Sequence, residues 1–370
     1  IIDPSELPES PPQQHVLQTL TIFAAANAKL FTADQLQTLQ PYVKNLSSDD
    51  NLLVYRSAIV ILRHTLPYMK NLNRDFLSNI QQALLGSFTR LPPAELKEVA
   101  TCLWTLDGEL HNTERLVKVT LSLYDQIKRG LVVDMNGNPA AAQKTRRLIT
   151  IAGHFGKAFN LDSHLEAFKE KFTDYKGNHV AFLAVDLICP FTSPNQPMVL
   201  RQAALDSVCM LCQAWPGQLM RTDVCSAFKL ALESDDPQLP MTLIVGLKDF
   251  YCAGDKPGES NQIKVGTGVE AGTERLGNTY MATDRDGAAT SIAQQFLGKI
   301  RHVALTSADA LAFNAVQVVA SIGRQGLVHP KETGPCFIAL ETCPDAKIAT
   351  FAFQEHMGLY SKHEAMKHGP

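Results

Sequence analysis

The sequence predicts an all-α fold in which antiparallel helix pairs stack into a superhelical solenoid. Apolar residues recur with the helical period of about 3.6 along most of the chain, with short polar or proline-containing breaks between the runs. Strand character is confined to Leu131-Val-Val133, which is too short to build a sheet. A sequence frame also recurs within the chain, and recurring helical units indicate a repeat array rather than one globular core.

The recurring frame places an arginine six residues after a short polar residue that precedes a helix. Asp50-x5-Arg56 and Asn195-x5-Arg201 share this frame, and alanine follows each arginine closely. A short polar side chain before a helix can cap it and can also accept a hydrogen bond from the arginine one to two turns later. We therefore expect Asp50–Arg56 and Asn195–Arg201 to be structural ties. A third copy of the frame has Phe313 in the arginine position.

Capping residues and prolines divide the first part of the array into helices. Thr32-Ala-Asp34 is predicted to cap a helix, a proline kink is expected at Pro41, and Gly130 suits a helix end. Proline is favoured in the first helical turn, where Pro92-Pro93 stands. The helices predicted in this part are His15–Lys29, Gln35–Leu46, Leu52–Lys70, Asn73–Leu91, Pro92–Leu110, Asn112–Arg129 and Ala140–Ala158.

The second part repeats this pattern, and its prolines again fall at the breaks. The stretch Gly254–Asp284 is rich in glycine and has no period, so we predict an insertion. The chain is thus predicted to comprise an irregular lead (1–14), a repeat array (15–253), the insertion (254–284) and a continued array (285–370). Helices are predicted at Ser163–Phe172, Asn178–Cys189, Val199–Ala214, Thr222–Glu233, Leu239–Ala253, Gly287–Leu305, Ala308–Arg324, Pro330–Thr342 and Pro344–His363.

The composition and net charge of the chain limit the classes of function that it can have. The 370 residues are 45% hydrophobic, and the net charge is −3 with a pI near 6.4. A chain with this charge is not a polycation, so any contact with nucleic acid must come from local basic patches or a larger assembly. No stretch approaches the length needed to span a membrane. The abrupt ends, Ile1 and Pro370, suggest a piece of a longer protein.

Neither the cysteines nor the glycine-rich stretch predicts a catalytic or metal site. The eight cysteines are dispersed, mostly within apolar helical runs, which favours reduced thiols in an intracellular protein. Cys209-x-x-Cys212 supplies only two of the four ligands of a structural zinc site, so core packing is the favoured interpretation. Gly266-Thr-Gly268 lacks the spacing and preceding strand of a phosphate-binding loop. We expect no catalytic residue, no metal and no cofactor.

Two basic clusters flank the turn that connects Gly130 to Pro139, so they could converge on one edge of the solenoid. In the second cluster, Lys144 and Arg147 share a helical face. The alternative interpretation for either cluster is a solvated helix face. Each phosphate that Lys or Arg contacts adds about one unit of salt dependence to binding. The candidate residues for contact with DNA or a protein partner are Lys128, Arg129, Lys144, Arg146 and Arg147.

An ordered series of short segments resembles the HEAT-repeat cohesin loader family, the Nipped-B type. The resemblance starts near residue 17 and runs to the end of the chain, and the Gln-Gly-Leu-Val-His-Pro segment is the most telling. Phe313 departs from the family pattern, and Gly254–Asp284 matches nothing in it. The segments that carry the resemblance are Leu20-Thr-Ile-Phe23 through Leu36, Leu39-Gln-Pro41-Tyr, Arg56 through Pro67, Glu98-Val-Ala100-x-Cys102-Leu-Trp104, Arg324-Gln-Gly326-Leu-Val-His329-Pro330, Pro335 and Pro344-Asp345.

The resemblance implies a HEAT-repeat α-solenoid that belongs to a nuclear, chromatin-associated loader. Such loaders have no active site of their own; they bind the ATPase heads and the kleisin of the cohesin ring, clamp DNA against them and stimulate ATP hydrolysis. A smaller helical-repeat subunit binds a region of the family that this chain lacks. The family pattern transfers no individual contact residues to this sequence.

Two other functions stay open at the level of sequence. A generic HEAT-repeat adaptor, such as a transport receptor or a phosphatase scaffold, would have the same helical pattern but different partners. A helical hydrolase or lipid-pathway enzyme would place its site beneath the glycine-rich insertion. Binding to cohesin heads and kleisin would distinguish the loader from the adaptor.

Overall fold

The computed structural model describes residues 11–44, 52–69, 72–255 and 284–367, in which every regular element is a helix and no strand occurs. The chain divides into two compact units. The first unit consists of Ile1–Gln126 and Thr150–Val180, and the second of Ile127–Ile149 and Ala181–Pro370. Each unit contains helix pairs of the predicted kind, with short connections between them.

Nine helices precede residue 180 in the described ranges, and the seventh and eighth run from one unit into the other. Short 3-10 turns follow α1 and α4, at Ala28–Leu30 and Leu66–Tyr68. The helices are α1 Pro11–Ala26, α2 Ala33–Gln37, α3 Gln40–Lys44, α4 Leu52–Thr65, α5 Arg74–Ser87, α6 Pro93–Leu110, α7 Thr113–Gly130, α8 Pro139–Ala158 and α9 Leu165–Lys171.

The remaining helices belong to the second unit, apart from the first residue of α10, and a 3-10 turn at Pro216–Met220 precedes α12. They are α10 Val180–Ile188, α11 Met198–Ala214, α12 Thr222–Leu232, α13 Gln238–Gly254, α14 Asp284–Thr306, α15 Ala310–Arg324, α16 Pro330–Leu340 and α17 Ala346–Lys367.

Within each unit, helices that are not consecutive in the chain pack side by side. This packing gives each unit two layers of helices. In the first unit, α1, α4 and α6 form one row, while α3 packs on α5. In the second unit, α11, α13, α15 and α17 form one row, and the Pro216–Met220 turn, α14 and α16 form the other. Consecutive helices α14 and α15, and α16 and α17, connect the two rows. The predicted fold class, a solenoid of antiparallel helix pairs, is confirmed.

Polar ties join helices about one repeat apart in sequence. Arg63 donates to Glu98 across 35 residues, and Arg221 donates to Asp186 across 35 residues. Tyr55 and Ser87 share a buried hydrogen bond across 32 residues. A repeat protein is expected to show this pattern because each unit contacts only its neighbours. The ties therefore fix the repeat length at about 35 residues.

The same spacing is visible across the predicted insertion. Lys248 donates to Asn314 over a separation of 66 residues, and Ser321 donates to Asp255 over the same separation. Subtracting the 31 residues of 254–284 from 66 leaves 35, which is one repeat. The stretch 254–284, which the sequence predicts to be an insertion, lies between the two partners of the Lys248–Asn314 hydrogen bond. Of that stretch, Gly254 ends α13 and Asp284 begins α14, and residues 256–283 lie outside the described ranges.

Several predicted helix boundaries are wrong. Helix α1 begins at Pro11, inside the predicted irregular lead, because proline is tolerated in a first helical turn. The predicted helix Gln35–Leu46 is two short helices, and Pro41 stands in the first turn of α3 rather than at a kink. The predicted cap at Thr32 is present as a capping box with Gln35.

Candidate partner-binding surface

The five basic candidates lie on one helix–turn–helix segment of the second unit. Lys128 and Arg129 occupy the last turn of α7, where cations are favoured by the helix dipole. Lys144, Arg146 and Arg147 lie between one and two turns into α8. All are exposed except Arg147, which is half-buried. The structure thus places both clusters next to the same turn, residues 131–138. We call this surface the basic edge.

Hydrogen bonds within the turn hold its backbone. Leu131 N–H donates to the Lys128 carbonyl at 3.1 Å, which continues the last turn of α7. The Asp134 carboxylate accepts from the backbone N–H groups of Asn136 and Gly137 at 3.1 and 3.2 Å. This is the local bonding by which aspartate stabilises turns. Asn138 then accepts from Ala141 N–H at 3.0 Å and caps α8.

The turn is also anchored to the rest of the second unit. Met135 is buried at 3% exposure and packs near Gly130, where an added Cβ would lie 3.3 Å from the Met135 methyl group. Asn136 donates through its side-chain amide to the Asn195 carbonyl at 2.8 Å. These contacts join the turn to the segment that precedes α11. The cations are therefore displayed on a scaffold that is fixed at both ends.

Electrostatic repulsion is built into the basic edge. Burial lowers the pKa of the Arg147 guanidinium, and the neighbouring Arg146 lowers it further. Arg146 donates to the Gln143 side chain at 3.2 Å, which orients its guanidinium along α8. An anion placed against this pair would relieve the repulsion, because opposite charge favours the ionised form. The arrangement suits phosphate or carboxylate groups rather than a catalytic reaction.

Two valines at the tip of this turn were not identified from the sequence. Val132 is 89% exposed and Val133 is 41% exposed. The only sequence signal was an apolar pair where turns normally carry Gly, Pro, Asn, Asp or Ser. The sequence predicts that Leu131-Val-Val133 is too short to form a strand, and that prediction does not specify whether the valines are exposed.

The first predicted tie, Asp50–Arg56, stays a prediction, and the structure shows another partner of Arg56. Asp50 lies outside the described residues, so the Asp50–Arg56 pair is not observed. Arg56 instead pairs with Glu95 of α6 at 3.7 Å, with 48% of its own side chain exposed. The pair that is better shielded from solvent joins Arg63 to Glu98 at 2.7 Å, with side chains 25% and 14% exposed. Both pairs join α4 to α6, and the recurring frame predicted neither of them.

The second predicted tie, Asn195–Arg201, is wrong: the two side chains are not hydrogen-bonded. The carbonyl of Asn195 accepts from Asn136, as described above, and its N–H donates to Ser193 at 3.5 Å. The Nε atom of Arg201 is buried without a hydrogen-bond partner. Pro197 occupies the N-cap position of α11. Asn195 lies in the turn at 193–196, in which Gln196 N–H donates to the Ser193 carbonyl at 3.0 Å, so Asn195 does not cap the helix.

The third copy of the frame uses its phenylalanine for packing. The rings of Phe313 and Phe351 lie 5.8 Å apart at 75°, an edge-to-face contact between α15 and α17. Asp309 caps α15 by accepting from Ala312 N–H at 3.0 Å. The neighbouring Asn314 accepts from Lys248 at 2.8 Å. In this copy of the frame, the position that holds arginine in the other two makes a ring contact, and the Lys248–Asn314 hydrogen bond lies beside it.

The segment that carries the strongest family resemblance is a helix–turn–helix connector. Gly326 has φ of +69°, and Leu327 N–H donates to the Ile322 carbonyl, so α15 ends in a left-handed cap. His329 accepts from Lys331 N–H at 3.1 Å and caps α16, and Pro330 occupies its first position. Each of these residues either ends α15 or begins α16.

The first two residues of the same segment connect three helices. Arg324 pairs with Asp255 at the end of α13, at 2.6 Å, and with Glu355 of α17, at 2.5 Å. Gln325 donates to the Tyr251 carbonyl at 2.8 Å and to the Ser321 hydroxyl at 2.9 Å. Sequence alone could not reveal the two partners of Arg324 or the contact of Gln325 with Tyr251, since these partners lie 31 to 74 residues away along the chain.

The cysteine pair lies in the core of the second unit. Cys209 and Cys212 are 4% and 1% exposed on α11, and burial raises the pKa of both thiols. An added Cβ at Gly246 of α13 would lie 2.7 Å from Cys209, so the two helices are in close contact there. Within the described ranges, no group of three or more His, Cys, Asp or Glu side chains could hold a metal ion. Cys209 and Cys212 therefore contribute to the packing of the core of the second unit.

A cavity of about 420 Å³ lies in the first unit between α1 and the short helices that follow. Most of its lining is apolar, including Val16 and Phe23. Catalytic pockets generally combine apolar walls with convergent polar groups. Among the described residues, the polar side chains that line this cavity are Gln35, Thr38 and Tyr42, and none of those lining residues is Asp, Glu, His, Lys or Cys. In the described part of the chain, no helix is both long and apolar enough to cross a membrane.

Comparison with known proteins points to one family. A family model described as the sister chromatid cohesion C-terminus of Nipped-B matches residues 289–369. The solved structure of the Chaetomium thermophilum cohesin loader SCC2, C-terminal fragment, superposes with a TM-score of 0.86 and 34% sequence identity. That match covers 98% of this chain and 26% of the fragment.

Two curated relatives agree with this assignment. Sister chromatid cohesion protein mis4 of Schizosaccharomyces pombe is 22% identical over 364 residues, which is 96% of this chain and 23% of the relative. The Nipped-B-like protein of Homo sapiens is 19% identical over 363 residues, 95% of this chain and 12% of the relative. The chain therefore spans less than a quarter of either relative's length. By sequence and by structure, the chain is thus similar to cohesin loaders of the Nipped-B type.

Proposed function

We propose that this chain is a non-enzymatic scaffold of a cohesin loader, which binds cohesin and DNA and thereby promotes the loading of cohesin onto chromosomes. The superposition on the Chaetomium loader fragment, at a TM-score of 0.86 over 98% of the chain, is the observation that carries this proposal. The proposal includes the ATPase heads and kleisin of cohesin as partners, stimulation of cohesin ATPase activity, and a nuclear, chromatin-associated location. A smaller helical-repeat subunit would bind the loader outside this chain.

Helical repeat arrays suit this role because they present extended surfaces on a rigid framework. In this chain the framework is held by ties between neighbouring repeats, such as Arg63–Glu98 and Arg221–Asp186. Those ties are internal, so they orient the surface helices and do not contact a partner. Side chains that meet a partner must be sought among the exposed residues.

The basic edge is the part of this surface that we propose meets DNA. Lys144, Arg146 and Arg147 lie close together on α8, and the buried flank of Arg147 limits the freedom of its guanidinium. Phosphate contacts of this kind fix the position of a duplex but read no sequence. Three such contacts would contribute about three units to the salt dependence of DNA binding. The edge would therefore strengthen binding that other surfaces of the loader share.

The test replaces Lys144, Arg146 and Arg147 by glutamate in the full-length loader. We expect DNA-dependent stimulation of cohesin ATPase to fall several-fold, and the salt dependence of DNA binding to decrease by about three units, because three phosphate contacts are lost. ATPase rates and DNA affinity across a salt series are the measurements. A matched control reverses Lys97, Lys118 and Lys176, which are exposed in the first unit. Unchanged stimulation and unchanged salt dependence in the first variant would show that the basic edge is only a solvated surface.

A further inference from the structure

The turn of the basic edge has an apolar tip that phosphate binding does not explain. Val132, at 89% exposure, is the most exposed of the large hydrophobic side chains in the described ranges, and Val133 adjoins it at 41%. Solvent-exposed turns generally carry polar residues or glycine, because apolar surface in water is unfavourable. A single exposed valine needs no explanation, but two adjacent exposed valines in one turn form a small apolar surface.

The backbone under this tip is fixed before any partner binds. Val133 N–H donates to the Gly130 carbonyl at 3.3 Å, and the carboxylate of Asp134 accepts two further N–H groups. Met135 is buried directly behind the tip. A contact surface that is already ordered loses little conformational entropy on binding, which increases affinity for a given area. The backbone that carries the two valines is therefore held in place.

The charged residues near Val132 and Val133 indicate the chemistry of a partner that could bind there. Between residues 127 and 149 there are five cations and a single carboxylate, Asp134, which gives this segment a net charge of +4 in a chain whose total is −3. Lys128 and Arg129 stand three and four residues before the valines and are exposed. A complementary surface would have a small apolar socket for the valines and acidic groups on the side that faces Lys128 and Arg129.

We propose that the 131–138 turn, with Lys128 and Arg129, docks a protein surface of the cohesin complex that has an apolar socket and an acidic rim. The proposal rests on the function proposed above, since it takes the partner from the complex that the loader serves. It divides the basic edge into two parts. The cations of α8 contact DNA, and the end of α7 together with Val132 and Val133 contacts protein. A duplex backbone would bind the cations but would offer no apolar surface to the valines.

The test uses the full-length loader carrying Val132→Ser and Val133→Ser, with two separate probes: the purified cohesin complex without DNA, and a DNA duplex without cohesin. We expect cohesin affinity to fall about tenfold, because apolar area that the partner buries is lost, while duplex affinity stays the same. The melting temperature should not change, since Val132 makes little contact with its own chain. A matched control carries Val199→Ser and Leu230→Ser, at two other exposed apolar positions of the second unit, which are 39% and 40% exposed.

A second variant, Lys128→Glu with Arg129→Glu, tests the acidic rim. It should weaken cohesin binding and make that binding less sensitive to salt, because two charge contacts are removed. Unchanged cohesin affinity in the serine variant would overturn the proposal. Loss of duplex affinity in that variant would also overturn it, since the valines would then enter DNA. If the unmodified loader failed to bind cohesin at all, the proposed function itself would fall, and this inference with it.

Discussion

At the scale of single residues, two ion pairs that join α4 to α6 show how burial affects the contribution of an arginine. Arg63 lies between α4 and α6, and its ion pair with Glu98 is largely shielded from solvent. The exposed Arg56 reaches Glu95 on the same two helices at 3.7 Å, with half of its side chain in water. Exposed ion pairs contribute little to stability, whereas hydrogen bonds between shielded charged groups contribute more. The contribution of an arginine to stability thus depends more on its burial than on its position within the repeat.

This difference predicts unequal effects of two alanine substitutions on one helix. Arg63→Ala should lower the free energy of unfolding by about 2 kcal/mol, because Glu98 would lose its partner in a partly buried site. Arg56→Ala should lower it by less than about 1 kcal/mol. Urea unfolding followed by circular dichroism would measure both changes. Equal losses for the two variants would show that burial does not determine how much each arginine contributes.

At the scale of helices, caps and close contacts determine where each element begins, ends and packs. Asp309 caps α15, and hydrogen bonds from Ala312 and its neighbours lower the pKa of this carboxyl. A lowered pKa in the folded state means that the ionised cap stabilises the helix at pH values above the ordinary carboxyl pKa. That stabilisation is lost as the pH falls through the lowered pKa.

The effect of Asp309→Ala should therefore depend on pH. Near neutral pH the substitution should cost about 1 kcal/mol, which is typical for loss of an N-terminal cap. The cost should shrink as the pH falls below the ordinary aspartate range, because the wild-type cap is then protonated. Thermal unfolding at several pH values is the measurement, and Asp309→Asn, which keeps a capping oxygen, is the control. A cost that did not vary with pH would mean that the charge of the cap is unimportant.

The contact between α11 and α13 gives a second test at this scale. A Cβ at Gly246 would lie 2.7 Å from Cys209, so Gly246→Ala should destabilise the second unit by about 1 to 3 kcal/mol through overpacking. Gly298 in α14 has no atom within 4 Å of the corresponding Cβ position. Gly298→Ala should stabilise the protein by about 0.5 to 1 kcal/mol, because alanine is the better helix former. Melting temperatures that shifted in the same direction for both variants would contradict a close contact at Gly246.

At the scale of the whole molecule, the period of the apolar residues and the residues that cap or break helices were enough to predict the fold class. They were not enough to predict which side chains form contacts between helices. Apolar periodicity located most helices, and the capping box at Thr32 and the proline that opens α16 were readable from local sequence. The partners of Arg63 and Arg324 were not readable, because they lie on helices one or two repeats away. Local spacing cannot show which helices become neighbours.

The candidate binding surface, like the fold, could be predicted only in part from the sequence. The basic residues on either side of one turn could be identified, since charge clusters are visible in sequence. The exposed Val132 could not be distinguished from a core residue, because apolar side chains are usually buried and exposure depends on how the turn is held. The predicted Asn195–Arg201 tie failed for a related reason. Pro197 holds the N-cap position of α11, and Asn195 lies in the turn before it, where its carbonyl accepts a hydrogen bond from Asn136.

The central claim is that this chain is part of a scaffold through which a loader acts on cohesin and DNA. The ATPase rate of purified cohesin, measured with DNA and with or without the full-length protein, tests that claim most directly. We predict that the protein raises the rate above that of cohesin and DNA alone, and that reversal of Lys144, Arg146 and Arg147 removes most of the increase. A rate that the unmodified protein leaves unchanged would contradict the claim.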